Sequence, residues 1–286
     1  MATAAPKRVA NRMSSALKKF QPILKSALDR DVNESDTVDV MTDMLAELFG
    51  YDKYVEVTSE YKIRGTYCDL AIEIDGQLRL LIEVKAIGIE LKDKHLRQAI
   101  NYAANEGVDW VVLTNGINWQ VYRVTFTKPI KKELVVEFDL LELSPRSPDE
   151  MEPIFLLSRE GLGKSALPDY FARKQAMSRY VIGAILLSEP ILKAVRRELK
   201  KVSPDIKFEL DHIKGVVDKE VLKREVAEGD KAVAARKTVD KALKSTQPKK
   251  KPKKKPKKKQ QEASVAEPSS GAEVIGIEEA REEKRW

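Results

Sequence analysis

The alternation of apolar and polar positions is sharpest between Tyr67 and Lys85, YCDLAIEIDGQLRLLIEVK. Leu70, Ile72 and Ile74 alternate with small or polar neighbours, and so do Leu78, Leu80, Ile82 and Val84. Period-two runs on both sides of Asp75-Gly76 predict a β-hairpin. Its register decides what it carries. A strict two-residue turn would set Ile72 against Arg79 and Leu70 against Leu81, turning one strand's apolar side towards the other's polar side. A three-residue loop, Ile74 to Gly76 with Gly76 left-handed, sets Leu70 against Leu80 instead. Burial of one face selects this second register, because a slip by one residue moves every side chain to the other face. Asp69, Glu83 and Lys85 then converge on the opposite face, at one end of a sheet.

The rest of the pattern surrounds that hairpin with helices. Leu17, Phe20, Leu24 and Leu28 fit one face of a first helix that contains Pro22. Asn33, with Asp36 three residues on, caps a second helix that runs to Phe49 and stops at Gly50. Its buried stripe is Val38, Met41, Leu45 and Leu48; Glu34 falls on the same stripe, and spacing alone favours an acid placed for the positive helix end. Tyr54 to Ile63 reads as a strand and Ile89 to Glu106 as a helix with a core stripe of Leu96, Ala99, Ile100 and Ala103. A neighbouring stripe holds Leu91, His95, Gln98 and Tyr102, with Gln98 and Tyr102 four apart on one side. Trp110–Leu113, Trp119–Val124 and Leu134–Phe138 complete the sheet around the turn Thr114-Asn115-Gly116. The order of elements gives a mixed α/β sandwich over residues 1–145.

From Pro145 the pattern turns helical, at 148–158, 166–175, 177–187 and 190–201, with Ser188-Glu189-Pro190 restarting the chain. Ile206 to Leu210 reads as a short strand, followed by charged helix to about Lys244. Residues 146–245 are therefore expected as a helical region, and 246–286 as a low-complexity, disordered Lys/Pro tail.

Charge changes this picture in one respect. The chain has 52 basic and 45 acidic residues, but nine of the lysines lie in the run Lys249–Lys259. Without that run the balance is 43 against 45, so the basic character belongs to the tail and not to the body. One cysteine (Cys68) and two histidines (His95, His212) exclude a disulfide framework, a zinc finger and a cysteine-ligated iron–sulfur cluster. A metal here would be held by oxygen, which favours Mg2+, with Mn2+ as the alternative. The longest clean apolar run, Val181–Leu187, is far short of a membrane span. The basic N-terminus reads better as a helix with Lys7, Arg8, Arg12, Lys18 and Lys19 outward than as a transit peptide, so a cytoplasmic protein is expected.

An acid-x-lysine triplet is by itself uninformative in a chain that is 34% charged, and Glu90-Leu91-Lys92, Glu198-Leu199-Lys200 and Asp205-Ile206-Lys207 also have that form. Only Glu83 and Lys85 follow an apolar strand and stand beside a second acid, Asp69. Gly161-Leu162-Gly163-Lys164-Ser165 has the look of a phosphate-binding loop, but Ser158 stands where the full pattern needs glycine, and a helix-ending glycine turn is the better reading.

Taken together, Glu34, Asp69, Glu83-Val84-Lys85, Gln98-Ala99-Ile100-Asn101-Tyr102 and Leu113-Thr114-Asn115-Gly116 with Trp119 resemble the N-terminal nuclease domain of type I restriction enzyme R subunits. That domain belongs to the PD-(D/E)xK nuclease superfamily, and the likeness covers about residues 30–125. The resemblance implies a restriction-endonuclease-like core, a mixed sheet flanked by helices. It implies Glu34, Asp69, Glu83 and Lys85 as catalytic residues, with Asp69, Glu83 and Val84 as ligands of Mg2+. Lys85 would orient or polarise the attacking water, and Gln98 and Tyr102 of the QxxxY motif would position the DNA backbone or the active-site side chains. Cys68 stands where the family pattern has proline. The ATP-driven translocase that follows the domain in those subunits is not found in these 286 residues. Partners are therefore expected to be DNA and a separate ATP-dependent motor or methylation and specificity subunits. The implied activity is metal-dependent cleavage of DNA in restriction or defence; a non-catalytic DNA-binding module and a repair-type DNA exonuclease remain the alternatives.

Overall fold

Alternation lays down a sheet, and helices of matching period cover both of its faces. The computed structural model describes residues 5–63 and 66–246. Six strands run in sequence order across one sheet: β1 (Val57–Ile63), β2 (Thr66–Ile74), β3 (Gln77–Val84), β4 (Trp110–Thr114), β5 (Asn118–Thr125) and β6 (Lys131–Asp139). Neighbours are antiparallel except β3 and β4, which are parallel. A parallel pair needs a crossover connection. The helix α3 (Asp93–Glu106) supplies it.

The hairpin β2–β3 departs from the expected loop. Ile74 pairs with Gln77, so the turn is the two residues Asp75 and Gly76, both left-handed at φ 54° and 70°. That is the form whose twist matches antiparallel strands. Glu73 pairs with Leu78, but Ile72 pairs with Leu80 and Leu70 with Ile82. A register shift at Arg79 thus restores the apolar match that a three-residue loop was expected to provide. A bulge leaves one residue unpaired and re-aims those beyond it.

The faces sort as the burial argument requires. Leu70, Ile72, Ile74, Leu80, Ile82 and Val84 join a core with α1 (Lys7–Asp29) and α2 (Glu34–Glu47). Ala71 and Leu81 face the other way, with Val111 and Leu113, under Leu96, Ala99, Tyr102 and Ala103 of α3. Leu28, expected in the α1 stripe, is 39% exposed; Ala27 is buried in its place. Asn33 caps α2 by accepting the Asp36 N–H at 2.9 Å.

Two elements start later than expected. Residues 53–56 form a turn, with the Asp52 carboxylate accepting the N–H groups of Tyr54 and Val55, so β1 begins at Val57. Asn115 draws the chain before α3 into a loop, donating from Nδ2 to the carbonyls of Ile87 and Ile89 at 3.1 and 3.0 Å. Helix α3 therefore starts at Asp93, not Ile89.

The apolar core does not stop at residue 145. Ile154–Leu157 of α4 (Glu152–Leu157) and Ala166 and Leu167 at the start of α6 (Ala166–Ala176) belong to the same core as α1 and α2. The short α5 (Arg159–Gly163) is clasped to the sheet-bearing part by Arg12–Glu160 at 2.6 Å and Arg159–Glu56 at 2.7 Å. Helices α7 (Arg179–Leu186) and α8 (Glu189–Val202) follow. The strand expected at Ile206–Leu210 is not formed: a strand needs a neighbour, none of the six pairs with it, and Ile206 is exposed. The charged helix expected beyond it is broken into Leu210–Val216, a π-turn at Val217–Val221, Arg224–Ala227 and Asp230–Thr246. The chain divides into two units, 1–241 and 242–286. The Lys/Pro run, residues 273–286 and Arg64-Gly65 lie outside the described residues. Among the described residues, no helix is long and apolar enough to cross a membrane.

Candidate active site

The end of β3 brings the expected charges together. Lys85 follows the strand directly, and its N–H donates to the carbonyl of Thr114 at 2.8 Å, continuing the ladder with β4. Its Nζ lies 3.0 Å from Glu83 Oε1, 3.3 Å from Glu34 Oε1 and 3.9 Å from Asp69 Oδ2. Three carboxylates from three elements, α2, β2 and β3, thus converge on one ammonium. Asp69 lies one residue beyond the Leu70–Ile82 pair, and its Oδ2 accepts the N–H of Val84 at 2.7 Å. Glu34 opens α2 and turns towards Lys85, not merely towards its own helix end.

Burial grades the four side chains. Glu83 is 2% exposed and Lys85 16%, whereas Asp69 and Glu34 reach solvent more freely. Glu83 Oε2 has no hydrogen-bond partner among the described residues. An unpaired buried carboxylate oxygen is costly, and a native one calls for a cation, a proton or a water. Burial, and then the negative charge of Asp69, push the Glu83 carboxyl up to about 7, against the opposing pull of Lys85. Asp69 is also raised, by burial, with the Val84 N–H and Lys85 working the other way. Burial works to lower Lys85, but Glu83, Asp69 and Glu34 outweigh it and hold the ammonium above its ordinary value.

These residues suit a hard divalent cation. Such an ion takes oxygen ligands and keeps much of its water shell, so two carboxylates and one carbonyl are enough protein donors. Asp69 and Glu83 would hold it, with Val84 able to contribute only its backbone carbonyl. Among the described residues no group of three or more Asp, Glu, His or Cys side chains is placed to hold a metal ion. The Lys85 ammonium is the cation that gathers the acids. Cys68 is no competitor: burial, then Glu83 and Asp69, push its thiol up to about 12.

Gln98 and Tyr102 are paired as expected, Gln98 Nε2 donating to the Tyr102 hydroxyl at 2.7 Å. Tyr102 is buried beneath α3 and Gln98 is exposed. Residues 39–136 match the family model of the type I restriction enzyme R protein N terminus. No curated protein and no solved structure matches the chain. The matched R-protein segment, roughly a third of the chain, includes Asp69, Glu83, Lys85, Gln98 and Tyr102 but not Glu34. Glu34 joins that segment's charges in three dimensions.

Two features near the acids go beyond the sequence reading, which gave Glu60 no part and Asn115 only a place in a turn. Glu60 adopts φ 51° where β1 passes Asp69, between the pairs Ser59–Leu70 and Tyr61–Cys68, and its charge helps to raise Asp69. Asn115 is the second. Besides its two donations, its Oδ1 accepts the N–H groups of Ile117 and Asn118, so one buried amide fixes both the turn after β4 and the loop after Lys85.

In the glycine-rich stretch at 161–165 the N–H groups of Gly161, Leu162, Lys164 and Ser165 are spent on hydrogen bonds within the chain. Ser158 caps α5 by accepting the Gly161 N–H at 3.1 Å, and a Cβ on Gly161 would lie 1.9 Å from the carbonyl oxygen of Phe155. Close packing of backbone explains the glycine.

Proposed function

We propose that the chain is a Mg2+-dependent deoxyribonuclease, built on a PD-(D/E)xK core and cutting DNA phosphodiester bonds in restriction or defence. The observation that carries this reading is the position of Lys85 Nζ among Glu83, Glu34 and Asp69, beside an unpartnered Glu83 oxygen. A metal ion bound there would lower the pKa of a bound water and offset charge on the phosphate. Asp69 and Glu83 would hold it. The Val84 N–H fixes the Asp69 carboxylate in place. Lys85, held among these acids, would exchange a carboxylate partner for a phosphate oxygen and orient the attacking water. Glu34 is the most exposed of the three acids around that lysine.

The match to the R-protein segment supports the substrate as DNA and leaves room for a motor or specificity subunit on another chain. The test is purified full-length protein with supercoiled plasmid, with Mg2+, with EDTA, and as Asp69→Ala and Lys85→Ala. Cleavage is expected only in the first case. Cutting retained by Lys85→Ala would remove the assignment, and binding without cutting under every condition would favour a DNA-binding module. Products from circular against linear DNA separate an endonuclease from an exonuclease.

A further inference from the structure

Helix α8 sorts its charges and its apolar residues onto opposite sides. Lys193, Arg196, Arg197, Lys200 and Lys201 stand at i, i+3, i+4, i+7 and i+8, so five bases fill one face over just more than two turns. Arg196 is half-buried and the other four are exposed. Ile191, Leu192, Val195 and Leu199 fall on the far side, Leu192 buried and the others half-buried, and α8 packs on α7 and α9 (Leu210–Val216). The helix answers part of its own charge. Glu189 pairs with Lys193 at 2.6 Å, and Glu198 with Arg197 and Lys201 at 3.0 and 2.7 Å. Among the described residues no acid from another element pairs with the five, and Arg196 and Lys200 have no ion pair. Arg196 acts on the charge of Glu209, but Glu209 is paired with Lys207 at 2.9 Å. Arg12 and Arg159 differ: they reach acids 148 and 103 residues away and clasp the fold. The bases of α8 hold no other element in place.

We infer that the basic face of α8 is a docking surface for the phosphate backbone of duplex DNA. It uses none of the residues of the carboxylate site and lies outside the matched segment 39–136. Ion pairs between exposed side chains contribute little, so Lys193, Arg197 and Lys201 exchange theirs readily for phosphates. Lys193 to Lys201 covers about 12 Å of helix axis. One DNA strand sets about three or four phosphates along that length, at about 3.4 Å each. Five bases less two acids match that charge. Contacts of this kind hold the duplex without reading its sequence. A basic amphipathic helix also suits an anionic membrane, but there it needs its apolar face free for lipid, and that face of α8 is turned inward. The inference rests on DNA as the substrate in the reading above, and not on the metal site.

The test titrates the full chain with a fluorescent duplex in EDTA, so that no metal enters the comparison. One variant combines Arg196→Gln, Arg197→Gln and Lys200→Gln, since Gln suits a helix. A control combines Lys25→Gln, Lys131→Gln and Lys237→Gln, exposed lysines of other elements. Each lost phosphate contact removes about 0.9 from the slope of log affinity against log salt. The α8 variant should therefore flatten by about 2.7, and its deficit against wild type should shrink about fortyfold between 50 and 200 mM salt. The control should keep the wild-type slope, and so should Arg196→Lys with Arg197→Lys, which preserves the charge. If the triple variant does not fold, the single changes Arg196→Gln and Lys200→Gln, which break no ion pair, carry the same test at about 0.9 each. A wild-type slope in the α8 variants, or equal flattening in the control, overturns the inference. So does an α8 variant that loses phosphatidylserine vesicles while keeping its duplex affinity, which would make the partner a membrane. A wild-type chain that binds duplex through α8 but cuts no plasmid in Mg2+ removes the nuclease reading and leaves this one standing. A chain that binds no duplex removes both.

Discussion

Asp69 is tied to the backbone of the neighbouring strand, its Oδ2 accepting the Val84 N–H at 2.7 Å. The bond sets the aspartate beside the strand that carries Glu83 and Lys85, so the spacing of the acids follows from strand pairing. A carboxylate that accepts a backbone N–H is held in one orientation without help from its solvent-facing oxygen.

That bond separates charge from structure. Asp69→Asn keeps an acceptor for Val84 and loses only the negative charge. Plasmid cleavage should fall by about 10²–10³-fold, the usual scale for removing one preorganised electrostatic group. The thermal midpoint should move by less than about 4 °C, or about 1 kcal/mol. Unfolding of the variant under conditions where wild type is folded would instead make Asp69 a structural residue.

Glu83 supplies a dependence on pH that needs no activity assay. Its folded carboxyl, at about 7, lies above the ordinary 4.5. Between those values the unfolded chain has released its proton while the folded chain still holds it, so stability falls as pH rises and levels off above about 7. In EDTA the loss should be on the order of 3 kcal/mol for this group, with Asp69 acting in the same direction. Urea denaturation of Glu83→Gln should show a flatter profile. A metal must displace that proton, so Mg2+ should raise the wild-type melting temperature more at pH 8 than at pH 6. An equal Mg2+ effect at both values would exclude Glu83 as a ligand.

Much of this was legible in the sequence, for physical reasons that can be named. Alternation fixed the faces of β2 and β3, because burial penalises a one-residue slip, although the device that secures the register is a bulge at Arg79 and not a longer loop. Asn33 could be read as a cap from residue type and the acid three positions on. The approach of Glu34 to Lys85 could be read only from the family resemblance and not from spacing, because 51 residues and a change of layer separate them. The left-handed Glu60, a residue type with no preference for that region, and the four-bond role of Asn115 could not be read. The boundary at 145 came from a change of pattern, but a helical pattern can still pack on a sheet, as Ile154–Leu157 do.

The two glycines around Leu162 should behave oppositely. Gly161→Ala places a methyl 1.9 Å from the Phe155 carbonyl oxygen, so the backbone of α4 or α5 must shift, at a cost of about 2–3 kcal/mol. Gly163 has nothing within 4 Å of its added Cβ, and Gly163→Ala should be neutral or stabilising by up to about 1 kcal/mol. Thermal melts of both variants check this, and calorimetry with ATP should show no binding. ATP binding lost in both variants would restore the phosphate-loop reading.

The lysine run is the last test, and it turns on charge alone. Nine lysines between Lys249 and Lys259 carry the excess of basic over acidic residues in the whole chain. Contacts between lysines and phosphates release counterions, and each lowers the slope of log affinity against log salt by about 0.9 on duplex DNA. Removing residues 246–286 should therefore weaken duplex binding most at low salt and flatten the slope by several such increments. Cleavage at saturating DNA should persist, since Glu34, Asp69, Glu83 and Lys85 all remain. Binding measured by anisotropy from 50 to 300 mM salt, on both chains, gives the two slopes. Equal slopes would assign the electrostatic contact to the folded body, whose 40 basic and 38 acidic residues nearly balance, and the Lys92, Lys94 and Arg97 group on and before α3 would then be the next place to look.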